Sequence, residues 1–141
     1  MITSKWFSGN DDLADAYFIR RSVFIEEQKI DEDIEYDGTD GDAEHLVLYE
    51  KNQPVATGRL IMVDDKMHIG RMAVLKKHRG NGLGERTMTE CVSRAVAQGH
   101  SKIFLHAQAY ARGFYEKLGF VVFGNEFEEA GIPHVFMKKH L

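Results

Sequence analysis

Apolar and polar positions change period several times along the chain, and those changes predict its elements. Residues 3–7 read as a short first strand. Asn10-Asp11-Asp12 supplies a helix cap, and Leu13, Tyr17, Arg20 and Phe24 then recur at helical spacing, predicting a helix to about Glu27. Three strand-like runs come later, His45–Glu50, Val55–Val63 and Met67–Leu75. Short turns at Lys51-Asn52-Gln53-Pro54 and Asp64-Asp65-Lys66 join them, as in an antiparallel meander. Helical spacing returns over roughly 82–98, where Leu83, Thr87, Met88, Cys91, Val92 and Ala95 form one apolar stripe and Gly99 stands at C′. Lys102–Ala107 predicts another strand, Tyr110–Leu118 a short helix stopped by Gly119, and Phe120–Phe123 and Pro133–Lys138 two last strands. The order β-α-β-β-β-α-β-α-β-β predicts the α+β class: a central mixed, mostly antiparallel sheet of about seven strands flanked by helices.

A chain of 141 residues suits one domain over 1–141 with a core of its own. Its net charge of −4 and pI near 6.0 argue against nucleic acid as the partner, because such domains carry a basic surplus. Cys91 is alone, so no internal disulfide forms and nothing points to an oxidising compartment. Met1–Phe7 lacks the apolar core of a signal peptide, and no run is long enough to span a membrane, so the expected location is cytoplasmic.

Candidate chemistry concentrates between the fourth strand and the long helix, in Lys76-Lys77-His78-Arg79-Gly80-Asn81-Gly82-Leu83-Gly84. Glycines let a backbone bend tightly and approach a ligand closely. The first N–H groups of a helix lack intrahelical partners and sit at its positive end, so the turn suits phosphate oxygens. Gly84 is followed by Glu85-Arg86, which removes the Gly-Lys-Ser/Thr ending of a P-loop. The glycine spacing and the preceding meander also exclude the dinucleotide fingerprint.

Arg79-Gly80-Asn81-Gly82-Leu83-Gly84 resembles the Arg/Gln-x-x-Gly-x-Gly/Ala motif of the GNAT superfamily of N-acetyltransferases. Met72-Ala73-Val74 resembles that family's fourth strand, and Phe114-Tyr115-Glu116-Lys117-Leu118-Gly119-Phe120 its Phe-Tyr-x-Lys-x-Gly-Phe segment. The resemblance reaches a branch often called ElaA-like through Arg21–Gln28, His45-Leu46, Ala56–Arg59, His106–Gln108 and Glu129–His134. It covers nearly the whole chain.

The resemblance implies an acetyl-CoA-dependent N-acetyltransferase acting on a primary amine by direct attack. The pyrophosphate of acetyl-CoA would lie against backbone N–H groups of Arg79, Gly80, Asn81, Gly82, Leu83 and Gly84, with Arg79, Lys76, Lys77 and His78 adding positive charge. The pantetheine arm would pair with the main chain of Met72, Ala73 and Val74, where strands four and five splay apart, near Phe114 and Tyr115. Tyr115 matches the family's tyrosine and would protonate the leaving thiolate; a packed aromatic is the competing reading. The general base is not legible. His106 is a candidate by position and by the ordinary range of imidazole, and His68 occupies a place where some members carry a polar residue.

Glu26, Glu27 and Gln28 end the first helix, in the region that walls the acceptor site in such proteins, and structural roles compete for each. His134 lines the acceptor pocket or is a satisfied strand histidine. Residues 31–42 hold seven acids and read as a solvated loop; the sharper reading is attraction of a cationic acceptor. No metal is expected, because the histidines lack ligand spacing and one cysteine builds no thiolate cluster. Two further expectations stay open: a homodimer, a state common in the family, and a non-catalytic acyl-CoA-binding sensor in place of an enzyme.

Overall fold

The computed structural model describes residues 1–141. Seven strands form one sheet: β1 (Ile2–Ser8), β2 (Glu44–Glu50), β3 (Gln53–Val63), β4 (Lys66–Val74), β5 (Lys102–Gln108), β6 (Val121–Glu129) and β7 (Ile132–His140). Their order is β1-β2-β3-β4-β5-β7-β6, and only β4 and β5 run parallel. The helices are α1 (Ala14–Arg20), α2 (Glu32–Glu35), α3 (Leu83–Ala97) and α4 (Arg112–Lys117). This is the expected α+β arrangement. No helix is long and apolar enough to cross a membrane.

Side chains alternate across the sheet and so feed two cores. Leu46 and Leu48 meet Met88, Cys91 and Ala95 of α3, whereas Val47 between them meets Ala16 and Ile19 of α1. Each fully buried aliphatic side chain of this kind contributes roughly 1.5–3 kcal/mol. Gly58 of β3 lets α3 lie close, since a Cβ there would stand 3.0 Å from Thr87 Cγ2 and 3.2 Å from Cys91 Sγ.

The alternation breaks once on β4, at a bulge. Met67 and Ile69 belong to the α3 core, so a regular strand would send Arg71 there next. Instead Arg71 adopts φ +50°, and the register against β3 jumps from Arg59↔Gly70 to Thr57↔Ala73. The extra residue inverts the parity of the strand. Met72 and Val74 then pack on the α3 core and Ala73 on the α1 core, while the Arg71 guanidinium stays out of both. Just before the bulge, β4 and β5 share one paired position, His68↔Phe104; beyond it no ladder joins them.

Three expectations need adjustment. The first helix does run to Glu27, but Arg21–Glu27 is wound as a π-helix. The predicted helix over Tyr110–Leu118 opens as a 3₁₀ turn at Ala109–Ala111 before α4. The strand predicted over Phe120–Phe123 extends to Glu129, because an irregularity between Phe123 and Phe127 absorbs the polar residues that interrupt its alternation. It turns into β7 through Ala130 and Gly131, both at positive φ.

The acidic segment is also more than a solvated loop. It holds α2 and a 3₁₀ turn at Asp40–Asp42, and two of its acids are buried, Glu35 at 3% exposed and Asp40 at 7%. Arg20, itself buried on the helix face that the sequence assigned to the core, donates to both: Nε to Glu35 Oε2 at 2.6 Å and Nη1 to Asp40 Oδ1 at 2.9 Å.

Candidate active site

A cleft of about 1260 Å³ runs from the glycine turn, through the gap between β4 and β5, to the β6–β7 hairpin. At its glycine-turn end Gly82 caps α3 at φ +78°, and no side chain caps the helix. The first-turn N–H groups are therefore left for an anion, at the positive end of the helix dipole. A Cβ at Gly80 or Gly82 would meet nothing within 4 Å. These two glycines answer a backbone angle and leave the space above the turn open. Gly84 differs: a Cβ there would stand 3.3 Å from Phe114 Cζ, so that ring lies directly over the start of α3.

Arg79 does not reach into this space with a free charge. Its Nε donates to the Val74 carbonyl at 2.9 Å, and Nη1 and Nη2 each donate to Glu27 at 2.7 Å. The guanidinium straps the glycine turn to the end of the first helix. The hydrogen bond from Arg79 holds the Glu27 carboxyl below its ordinary range, and the same bond holds Arg79 above its own. Lys76, Lys77 and Asn81 lie outside the cleft walls, and the Asn81 side chain turns back to the His78 carbonyl at 3.4 Å.

In the middle of the cleft stand Met72, Ala73 and Val74 on one side and Tyr115 on the other strand's helix. The Tyr115 ring packs edge-on against Phe114 and Phe120, at centroid distances of 5.1 and 6.2 Å. Burial pushes its phenol up to about 12. The group therefore keeps its proton at neutral pH, as a proton donor must.

The far end gathers three histidines and Glu129. The Glu129 carboxylate bridges His106 Nδ1 at 3.0 Å and His134 Nε2 at 3.7 Å. The hydrogen bond from His106 outweighs burial and holds the Glu129 carboxyl below its ordinary range, aided by the charges of His106, His134 and Arg71. An ionised carboxylate only accepts, so His106 donates to it from Nδ1, and in the neutral ring the lone pair is then on Nε2. His134 Nδ1 donates to the Ile132 carbonyl at 2.7 Å. The His68 ring lies edge-on to His106 at 5.8 Å, and burial pushes its imidazole down, toward the neutral form.

Of the residues read as acceptor-binding, Glu27, Gln28 and His134 line the cleft. Gln28 Oε1 accepts from Gln108 Nε2 at 2.8 Å and ties the first helix to β5. Glu26 lies outside, 65% exposed and 3.8 Å from Arg21. Glu129, Arg59 and Arg71 had no role in the expectations drawn from the sequence. A charged residue inside the apolar run Val55–Val63 was the available signal for Arg59.

The chain matches the family model described as Acetyltransferase (GNAT) domain over residues 15–141, and it belongs to that family. It is an N-acetyltransferase, and the donor this family uses is acetyl-CoA. Among its relatives, the N-acetyltransferase YjcF of Bacillus subtilis is 38% identical, with 92% of this chain and 93% of the relative covered. ElaA of Escherichia coli is 31% identical, with 87% and 84% covered. The crystal structure of Escherichia coli ElaA superposes with a TM-score of 0.89 at 27% identity, covering 99% of this chain and 100% of that one. That of an acyl-CoA N-acyltransferase from Pseudomonas aeruginosa also gives 0.89, at 29% identity and 99% of both chains.

Proposed function

We propose that the chain transfers an acetyl group from acetyl-CoA to a primary amine by direct attack, with His106 as general base and Tyr115 as general acid. The observation that carries this reading is the Glu129–His106 hydrogen bond at 3.0 Å, which leaves His106 Nε2 as a base in the same cleft as a protonated phenol. Acetyl-CoA brings an activated thioester carbonyl. The uncapped start of α3, with the backbone of Gly80, Asn81, Gly82, Leu83 and Gly84, receives its pyrophosphate, and the main chain of Met72–Val74 receives its amide-bearing arm. Arg79 acts as a strap that shapes this cradle and not as a phosphate ligand. The amine nitrogen bonds to the acetyl carbon as the carbon–sulfur bond breaks. His106 Nε2 takes the proton the amine loses, and Tyr115 gives its proton to the departing thiolate. Glu129 stabilises the imidazolium that forms.

Tyr115→Phe tests the assignment. It keeps the ring packing and removes the proton, so thiol release should fall by about 10²-fold or more while the CoA dissociation constant stays within about twofold. Unchanged turnover would remove Tyr115 from the chemistry. A protein that binds CoA but releases no thiol with any amine would overturn the transfer reading as a whole.

A further inference from the structure

Three guanidinium groups, Arg20, Arg59 and Arg71, share two buried carboxylates, Glu35 and Asp40. Arg20 is fully engaged, since its Nη2 also donates to the Glu35 carbonyl at 3.1 Å. Arg59 is not. Its Nη1 donates to Thr39 Oγ1 and Asp40 Oδ1, at 3.1 and 3.0 Å, but its buried Nε has no partner. Arg71 Nη2 donates to the backbone of Ile34 and Glu35 and reaches Asp37 at 3.5 Å. Its Nε lies 3.1 Å from Glu35 Oε1 but at an angle that makes no hydrogen bond. Arg71 is 21% exposed and Asp37 41%, so three guanidinium groups face two buried carboxylates and one that is largely open to solvent.

Arg59 and Arg71 both line the acceptor end of the cleft. Gly70 stands beside Arg59, and a Cβ there would come only within 4.0 Å of Nη2, so the missing side chain leaves room over that edge of the guanidinium. Burial, and then the like charge of Arg71, push the Arg59 guanidinium down, as an undercompensated cation should be. Asp64 and Lys66, which also line the cleft, offset one another, and Glu129 is held by His106 at 3.0 Å and His134 at 3.7 Å. A planar fork of N–H donors matches the two oxygens of a carboxylate. Across the cleft lie His106 and the rings of Phe104, Phe123 and Phe136.

We infer that the acceptor is a small amine that also carries a carboxylate and an apolar body: the carboxylate sits on Arg59 and Arg71, the amine faces His106, and the apolar part lies on the phenylalanine rings. This rests on the acetyl-transfer reading above.

The test uses matched ligands on the whole protein with CoA present: L-phenylalanine, its amide, phenethylamine, and a peptide amide with an N-terminal aspartate. Binding is read by calorimetry, and thiol release with acetyl-CoA in parallel. The free acid should bind at least tenfold tighter than its amide and its decarboxylated amine. Arg71→Gln should cut that ratio to threefold or less, with Arg71→Lys, which keeps charge but loses the fork, between the two. A ratio near one in the unmodified protein overturns the inference whatever the variants do, and so does a ratio that Arg71→Gln leaves intact. Preferential binding of the aspartyl peptide overturns the small-molecule part and keeps the carboxylate site. Preferred binding of the acid without thiol release from any amine keeps the carboxylate site and sinks the transfer reading. Thiol release that is fastest with phenethylamine does the reverse.

Discussion

Replacing Asp40 by asparagine isolates the charge cluster behind the cleft wall at Arg59 and Arg71. Asp40 Oδ1 accepts from Arg20 at 2.9 Å and Arg59 at 3.0 Å, and Oδ2 accepts from the Tyr17 hydroxyl at 3.3 Å. Removing the charge leaves Arg20 its pair with Glu35 and leaves the buried Arg59 with no carboxylate partner. Breaking a buried pair from one side costs about 3–5 kcal/mol. Asparagine keeps the shape and one acceptor oxygen, which places the expected loss near the lower end, about 3 kcal/mol. That is a large part of the roughly 5–15 kcal/mol that holds a domain folded, and it corresponds to a fall in Tm of roughly 6–12 °C. Urea unfolding followed by circular dichroism should show a lower midpoint with an unchanged slope.

Acid titration gives the same experiment a second arm. Burial pushes the Asp40 carboxyl up, but the hydrogen bond and charge of Arg20, and then those of Arg59, outweigh it and hold it below its ordinary range. A folded value below the unfolded one means that the contribution is complete above about pH 4 and fades as pH falls through the folded value. The gap between the original protein and Asp40→Asn should therefore narrow below about pH 4. A loss under about 1 kcal/mol at neutral pH, or a gap that widens in acid, would mean that the desolvation of the cluster cancels its attraction and that Asp40 does not hold the fold in this way.

Two other outcomes are expected. Glu129→Gln removes the negative charge that stabilises the His106 imidazolium while keeping one acceptor oxygen, so turnover should drop by about 10²-fold with CoA binding unchanged; equal turnover in steady-state kinetics would dismiss the Glu129 charge from the chemistry. Gly9→Ala would put a Cβ 2.5 Å from the Asp40 carbonyl oxygen and closer still to Gly41, forcing the turn at 40–42 to move. Its cost should be roughly 1–3 kcal/mol and should not add fully to that of Asp40→Asn in a double mutant, because both act through one turn.

The shape of the glycine-turn end of the cleft was legible because each of its determinants is local: a helix stripe, a glycine at a positive-φ cap, an aromatic pair on a short helix. The far end was not, because its partners are far apart in sequence. His106 meets Glu129 across 23 residues, and Arg71 meets Glu35 across 36. Charge counting could show that residues 31–42 are acidic but not that Arg20, Arg59 and Arg71 would bury two of those acids. The bulge left a trace in Ile69-Gly70-Arg71-Met72, where an apolar residue arrives one position late, yet the same pattern fits a strand that simply tolerates an arginine. For Arg79 the motif identified the position, and only the fold shows that its guanidinium bonds to Glu27 and Val74.

The parity switch at Arg71 also sets what kind of sequence change the fourth strand can accept. Its downstream residues reach their proper sides only because the bulge takes up the one residue more that β4 has than the β3 ladder requires. If the bulge straightened with every residue kept, alternation would hand the Arg71 guanidinium to the interior under α3 and move Met72 and Val74 to the other side. Losing Gly70 or Arg71 would instead remove the bulge and leave both residues on the α3 core. A relative one residue shorter here should therefore carry an unbulged fourth strand with the same core face.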